Sequence, residues 1–214
     1  MLKKNKTLII ITSIITLLPM LFGLILWSRL PQELATHWSF DGEINGYGTK
    51  STAVFVIPLM LTAIHLMCSL VMQADPKKQN LNRKIFSLIL WVCPIISLLC
   101  GAMIYCTALG FKVDVSFIMS FLIGIIFIII GNYLPKCRQN YTVGIRTPWT
   151  LASEANWNKT HRFAGPIWVI CGIALLLTAF LKLIAVTFVT IILASALPML
   201  YSYIYYVRNE KEKE

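Results

Sequence analysis

Few side chains in this sequence have the type and spacing that metal binding or proton transfer requires. His37 and Asp41 lie close together and could both ligate a metal ion, but two ligands on a loop do not complete a site, so no metal is predicted. His65 lies within an apolar run, where an ionisable group is a functional candidate by default. A transporter would use such a histidine in its pathway, whereas a neutral imidazole bonded to the backbone would be purely structural.

The sequence contains no motif of a nucleophilic or hydrolytic enzyme, since it has no Walker loop, HExxH or GxSxG. Its cysteines do not form a CxxC pair, so they lack the spacing that is typical of a zinc or redox site. Small apolar core residues explain them better. We therefore expect no catalysis, no disulfide, no zinc site and no cofactor. The six cysteines are Cys68, Cys93, Cys100, Cys106, Cys137 and Cys171.

The elements that must position these residues are long and apolar. Hydrophobic residues make up 57% of the 214 positions and charged residues 13%, with a mean hydropathy of +0.74. Soluble domains carry about a quarter charged residues, and a membrane-spanning helix needs about 20 apolar residues. The sequence therefore predicts an all-α polytopic membrane protein. Six stretches meet the length requirement: 8–28, 53–72, 85–108, 116–134, 164–181 and 184–206.

Positive charge is distributed unevenly between alternate connections. Of the 19 lysines and arginines, only Arg29, Lys50, Lys112 and Lys182 fall on one side of six spans; the others, including Lys3, Lys4, Lys211 and Lys213, fall on the side of the termini. The positive-inside rule then predicts cytoplasmic termini and an outer loop at 29–51. The net charge of +10 reflects topology and attraction to anionic membrane lipid rather than direct nucleic-acid binding. The first span lacks a small-residue cleavage site and is expected to be an uncleaved anchor in a bacterial plasma membrane.

The outer loop, residues 29–51, has the features of an ordered hairpin. Alternation places Thr36, Trp38 and Phe40 on one face of an extended segment, and Asp41-Gly42 is a strong turn signal. Its aromatic residues could belong to the belt at the membrane interface. Alternatively, the loop could bind a hydrophobic partner that arrives from outside the cell. The candidate residues for that partner are His37, Trp38, Phe40, Asp41 and Tyr47.

The cytoplasmic loop, residues 135–163, has the composition of an amphipathic segment. Ser153 could cap a short helix whose first turn contains Glu154. The segment would then be either a membrane-surface anchor or a docking surface for a cytoplasmic partner. In either case we expect the aromatic rings to point inward at headgroup depth and the cations to point toward phosphate. The side chains concerned are Trp149, Trp157, His161 and Arg162.

The same two loops carry a family resemblance. The outer motif resembles the membrane domain that typically precedes the core of the SdpI family; it comprises Leu30-Pro31, His37-Trp38, Asp41-Gly42, Tyr47, Lys50 and Pro58. The second motif resembles the SdpI signature itself; it comprises Gly131-Asn132, Asn140, the run from Gly144 to Leu151, Trp157, His161-Arg162 and Gly165. The two motifs suggest an N-terminal membrane domain over 1–110 and an SdpI-like domain over 111–214, with three helices in each.

The resemblance implies toxin immunity, that is, protection of the producing bacterium against a secreted peptide that attacks its own membrane. It also implies a receptor role, in which a small helix-turn-helix repressor is held at the membrane when toxin is present. A transporter or flippase for a hydrophobic solute and a purely regulatory membrane anchor remain alternatives. The implied partner-binding or signalling residues are Asn140, Gly144, Arg146, Thr147, Pro148, Trp149, Trp157, His161 and Arg162.

Overall fold

A computed structural model describes residues 2–209 of the chain, with side chains from residue 5 onward. Lys3, Lys4, Lys211 and Lys213, which contribute to the predicted orientation, lie outside the described side chains. The elements in chain order are α1 (Leu2–Ile25), β1 (Glu33–Trp38), β2 (Ile44–Thr49), α2 (Ile57–Ala74), α3 (Arg83–Ala108), α4 (Val115–Tyr133), α5 (Pro148–Ala152), α6 (Glu154–Leu181) and α7 (Ile184–Asn209).

Six of these helices, all except the short α5, are long and apolar enough to cross a membrane. Their outer surfaces carry large apolar side chains such as Leu70, Ile170 and Ile192, which are more than 60% exposed. Such surfaces are stable only where lipid covers them. The prediction of an all-α polytopic membrane protein is therefore confirmed. The one sheet within residues 2–209 is the short β1–β2 hairpin.

Helices α1, α2 and α3 belong to a compact unit that comprises residues up to 74 and residues 83–115. Helix α3 packs against α1 close to Pro19, which lies inside α1. The Ser97 hydroxyl donates to the Thr16 carbonyl (2.7 Å), and the Tyr105 hydroxyl donates to the Pro19 carbonyl (2.9 Å). Between them, Gly101 is so close to Pro19 that a Cβ atom would lie 2.7 Å from the proline Cβ.

His65 is enclosed by the same unit. Its side chain is 1% exposed, and its Nε2 atom lies 3.0 Å from the Thr12 hydroxyl of α1. A polar group away from water needs a partner, and this bond supplies it while joining α2 to α1. The structure thus gives His65 a packing role.

The second compact unit comprises residues 75–82 and the chain from residue 116 onward. In this unit α4 and α6 meet at glycines. A Cβ atom on Gly124 would lie 3.0 Å from the Gly172 carbonyl, and one on Gly131 would lie 2.8 Å from the Gly165 carbonyl. Small residues allow helix backbones to approach closely within lipid.

A two-residue turn separates α6 from α7, as the sequence predicts. Lys182 adopts a left-handed conformation with φ of 54°, and its backbone N–H donates to the Thr178 carbonyl. Leu183 bonds to the same carbonyl at 3.1 Å. The two helices can therefore pack against each other along their lengths as an antiparallel pair.

We expect Gly131→Ala to destabilise the second unit by about 1–3 kcal/mol, as overpacking does elsewhere. The new methyl group would meet the Gly165 carbonyl and the Val169 amide nitrogen, both backbone atoms 2.8 Å away. Alanine favours helix more than glycine does, so a loss of stability would come from the contact. The measurement is thermal unfolding in detergent, with Ile129→Ala, which changes an exposed side chain of α4, as the control. Equal stability of the wild type and Gly131→Ala would contradict the close packing.

Candidate functional site

The turn of the hairpin (residues 33–49) is closed by its own backbone. The Ser39 N–H donates to the Glu43 carbonyl (2.8 Å), and the Gly42 N–H donates to the Ser39 carbonyl (2.9 Å). Gly42 adopts a φ of 89°, a conformation that glycine reaches without strain. The tight turn predicted at Asp41-Gly42 is confirmed.

The Asp41 carboxylate braces this turn. It accepts hydrogen bonds from the Ser39 hydroxyl and from the Glu43 backbone N–H. The bond from the Ser39 hydroxyl, assisted by the bond from Glu43, lowers the pKa of the Asp41 carboxyl. The His37 ring contacts the Asn45 side chain instead, so His37 and Asp41 have separate partners. Within the described chain, no three His, Cys, Asp or Glu side chains form a group that could hold a metal ion.

The aromatic residues of the hairpin differ in burial. Phe40 and Tyr47 are 73% and 64% exposed. Trp38 is half-buried and packs against a core cluster formed by Leu30, Leu34, Ala53, Val54, Ile104 and Tyr105. Trp38 therefore anchors the hairpin, and Phe40 and Tyr47 present apolar surface outside the core.

Lys50 fixes the base of the hairpin. Its side chain is only 8% exposed, and its ammonium donates to the Trp27 carbonyl (3.1 Å) and lies 5.1 Å from the centre of the Trp27 ring. A carbonyl and the face of an indole ring both stabilise a partly desolvated cation. The sequence identifies Lys50 only as a member of the outer motif. Its contact with Trp27 could not be predicted, because the two residues are 23 positions apart.

The segment that follows α4, residues 137–153, is here called the connector. Asp75, which belongs to the same unit, binds it at Tyr141 and Thr142. One carboxylate oxygen of Asp75 accepts from the Tyr141 N–H (2.9 Å) and the Thr142 hydroxyl, and the other accepts from the Lys77 N–H (2.7 Å). Asp75 is 4% exposed. A buried carboxylate with several donors holds its neighbours firmly, so the connector is an ordered segment.

Asn140 closes a tight loop within the connector. Its amide nitrogen donates to the carbonyls of Arg138 (2.8 Å) and Val143 (3.0 Å). Its amide oxygen accepts from the N–H groups of Thr142 (2.9 Å) and Val143 (2.6 Å). The side chain is fully buried. Asn140 therefore replaces the regular backbone pairing that this irregular segment lacks.

Trp157 and His161 of α6 hold the middle of the connector. The Trp157 indole N–H donates to the Cys137 carbonyl (2.7 Å), and its ring stacks on His161 with centroids 4.1 Å apart. His161 Nδ1 bonds to the Trp157 carbonyl (2.8 Å), and Nε2 accepts from the Ile145 N–H (3.0 Å). These two bonds require a neutral ring whose proton is on Nδ1.

Gly144 allows the connector to pass over these rings. Its φ is 120°, and a Cβ atom there would lie 2.5 Å from His161 Nε2 and 3.0 Å from the Trp157 ring. Any other residue would be strained in this conformation. The glycine of the sequence motif is thus explained by its close approach to the two side chains.

The end of the connector is fastened to α7. Thr147 caps α5, where its hydroxyl and that of Thr150 form a reciprocal capping box with the backbone. The Trp149 indole donates to the Ser202 hydroxyl (2.6 Å), and the Asn156 amide donates to the Ser202 carbonyl (3.0 Å). Ser153 caps α6 by accepting from the Asn156 N–H, as the sequence predicts.

The rings of Trp157 and His161, which the sequence predicts to point inward at headgroup depth, are 0% and 1% exposed because they lie inside the protein beneath the connector. Periodicity cannot distinguish an amphipathic surface helix from the first turns of α6, whose apolar face packs against the connector. Asn140 and Thr147 are also buried, while Trp149 and Gly144 are half-buried. Of the predicted residues of this loop, Arg146, Pro148 and Arg162 are exposed. Arg146 also donates to the Tyr141 carbonyl (2.7 Å).

Several residues of this network are absent from the sequence-based set. Asp75, Gln139, Thr150, Asn156 and Ser202 are each at least 90% buried and hydrogen-bonded. Of these residues, only Asp75 could have been identified from the sequence, because it is a carboxylate at the end of an apolar span. The arrangement binds its own backbone closely and offers exposed cations at its surface, so its chemistry suits recognition.

Comparisons with known proteins agree with both motifs. Residues 136–202 match the model of the SdpI/YfhL protein family, and residues 14–62 match a domain of unknown function, DUF1648. The chain is 30% identical over 211 residues to the Immunity protein SdpI of Bacillus subtilis (strain 168), which covers 95% of this chain and 96% of that protein. No solved structure matches the chain.

Cys137 makes the stability of the connector sensitive to high pH. Burial raises the pKa of its thiol from 9.0 to about 11, although the bond from the Asn140 amide partly offsets the effect. The thiol is therefore neutral in the folded protein at pH values where the unfolded chain already ionises. We expect its contribution to stability to be full below pH 9 and to be lost as pH rises toward 11, by up to roughly 2–3 kcal/mol.

The measurement is chemical unfolding of the detergent-solubilised protein between pH 8 and 11 for the wild type and for Cys137→Ala. The variant removes this thiol and leaves the tyrosines and lysines that titrate in the same range. The wild type should lose more stability with rising pH than the variant. Parallel curves for the two proteins would show that Cys137 is not held neutral.

Proposed function

The chain belongs to the SdpI family, and from this membership we propose that it is an immunity protein that protects its own cell against a secreted, membrane-active peptide toxin. The observation that carries the proposal is similarity to a known immunity protein over nearly the full length of both chains. The similarity therefore includes both the hairpin and the connector. An immunity protein of this kind acts by binding and needs no catalytic group.

In this proposal the hairpin captures the toxin outside the cell. Within lipid, helices gain little from the hydrophobic effect, so binding there depends on packing and hydrogen bonds. Apolar groups that face water are different, because covering them is favourable by about 25 cal/mol per Å². Phe40 and Tyr47 supply such surface, and Trp38 together with the Asp41-braced turn holds them in place. His37 lies beside them on β1.

The connector would report that toxin is bound. A signal requires that toxin binds two conformers with different affinity, and a tenfold shift in their populations needs only about 1.4 kcal/mol. The buried side chains of Asn140, Thr147, Trp157 and His161 define the shape of the connector. The exposed Arg146, Pro148 and Arg162, with the half-buried Trp149, would contact a cytoplasmic helix-turn-helix repressor.

Toxin challenge tests the immunity function. The protein is expressed in a toxin-sensitive bacterium, which is then exposed to a panel of membrane-active peptide toxins, and survivors are counted. Expression should raise survival against at least one toxin, because bound toxin cannot act on the membrane. Gly144→Ala, which strains the connector, reports whether protection needs the native fold of that segment. Unchanged killing by every toxin, despite normal membrane levels of the protein, would contradict the proposal.

Charge reversal tests the signalling surface separately. We expect Arg146→Glu combined with Arg162→Glu to abolish toxin-dependent recruitment of the repressor to membranes while survival under toxin stays unchanged. Both side chains are exposed, so their replacement changes the surface more than the stability. Fractionation of cells with a tagged repressor measures recruitment, and Lys159→Glu, at another exposed position of α6, is the matched control. Normal recruitment of the repressor by the double variant would show that Arg146 and Arg162 do not form the repressor-binding surface.

A further inference from the structure

The first unit contains an open cleft of about 430 Å³ between the tip of the hairpin and the link from α3 to α4. Its apolar walls come from Trp38 and Ile44 of the hairpin and from Phe111 and Val113 of the link. This volume lies within the range of sites that bind small molecules or single peptide side chains. Phe111 is 64% exposed, so most of its ring is accessible to a molecule that enters the cleft.

The charges around the cleft are mainly acidic. Asp114 lines it together with Lys112, while Asp41 and Glu43 flank the lining residue Gly42 and are exposed. Neighbouring residues are separated by about 3.8 Å, well within the screening length of about 8 Å at physiological salt. Three carboxylates and one ammonium therefore give the rim a net negative charge.

We propose that this cleft binds a cationic, amphipathic peptide segment, with an apolar side chain of the peptide between Trp38 and Phe111 and a lysine or arginine beside the acidic rim. Membrane-active peptides combine these features, since they carry Lys and Arg on one face and Trp, Phe or Leu on the other. The inference rests on the proposed immunity function and names the site at which the toxin would bind. It adds the α3–α4 link to the hairpin as a part of that site.

The geometry of the hairpin supports this use. The Asp41 carboxylate is held by the Ser39 hydroxyl and the Glu43 N–H, and Trp38 is fixed by the core beneath it. One wall and part of the rim are thus preformed, which lowers the entropic cost of binding. A peptide that fills the cleft would also cover Phe111, which supplies the hydrophobic gain.

Binding to the purified full-length protein in phosphatidylcholine nanodiscs tests the inference. The probe is a fluorescein-labelled peptide of leucine, lysine and one tryptophan, and its counterpart has glutamate in place of lysine. Fluorescence anisotropy, corrected with empty nanodiscs, should show saturable binding of the lysine peptide and at least tenfold weaker binding of the glutamate peptide. Equal binding of the two peptides, or binding no greater than that to empty nanodiscs, would overturn the proposal.

Two sets of variants locate the site. Phe111→Ala should weaken binding about tenfold, as loss of one buried aromatic contact does, while Phe22→Ala, at an exposed position of α1, should leave it unchanged. Asp41→Asn combined with Glu43→Gln should weaken binding roughly threefold to tenfold at low salt. Glu33→Gln, at the base of the hairpin, is the control for charge. If Phe111→Ala bound the peptide with the affinity of the wild type, the proposal would be overturned. Thermal unfolding at the wild-type temperature would show that each variant is folded.

The outcome can be separated from that of toxin challenge. Protection of cells by both the wild type and Phe111→Ala, with equal peptide binding, would overturn the cleft and leave the immunity function standing. Binding that depends on Phe111 and on the acidic rim, in a protein that protects against no toxin, would support the cleft and overturn the immunity function.

Discussion

Polar groups that are shielded from water by lipid or protein must find their hydrogen-bond partners inside the molecule, and both units are organised by this constraint. In the first unit the hydroxyls of Ser97 and Tyr105 reach carbonyls of α1, and the His65 ring meets the Thr12 hydroxyl. In the second unit the part of the connector that precedes α5 has no regular backbone pairing. Backbone groups of that part are bonded instead by Asp75, Asn140, Trp157 and His161.

This constraint explains why so few residues remain for contact with other molecules. Most residues of the two motifs are committed to holding an irregular backbone in place, as Gly144 and Asn140 show. Among the candidate residues of the two loops, the exposed side chains are His37, Phe40, Asp41 and Tyr47 of the hairpin and Arg146, Pro148 and Arg162 of the cytoplasmic segment. Recognition of a partner by shape and charge is what the proposed immunity function requires of these side chains.

Features with a local cause could be predicted from the sequence. The six spans follow from apolar length, the hairpin turn follows from Asp41-Gly42, and the start of α6 follows from the Ser153 cap. The turn at Lys182 follows because one helix of that combined length could not make a single crossing. Each of these signals is contained within a few residues or within one run.

The network around the connector could not be predicted, because its partners are distant in the sequence. Asp75 binds Thr142, and Asn156 and Trp149 bind Ser202 on another helix. Trp157 and His161 have the spacing of an amphipathic surface helix, and only the fold of residues 137–147 over them makes them interior. Their role depends on the approach of residues 137–147 in three dimensions, and the periodicity of the sequence gives no information about that approach.

The proposed toxin capture and the proposed signalling both require the hairpin to face the outside of the cell and the connector to face the cytoplasm. The most direct measurement places single cysteines at Tyr47→Cys and Arg146→Cys in a chain whose native cysteines are replaced by alanine, and treats intact cells with a membrane-impermeant maleimide. We predict labelling at position 47 in intact cells and labelling at position 146 only after the membrane is permeabilised. Labelling of position 146 in intact cells would contradict the orientation and, with it, the proposed route from toxin to repressor.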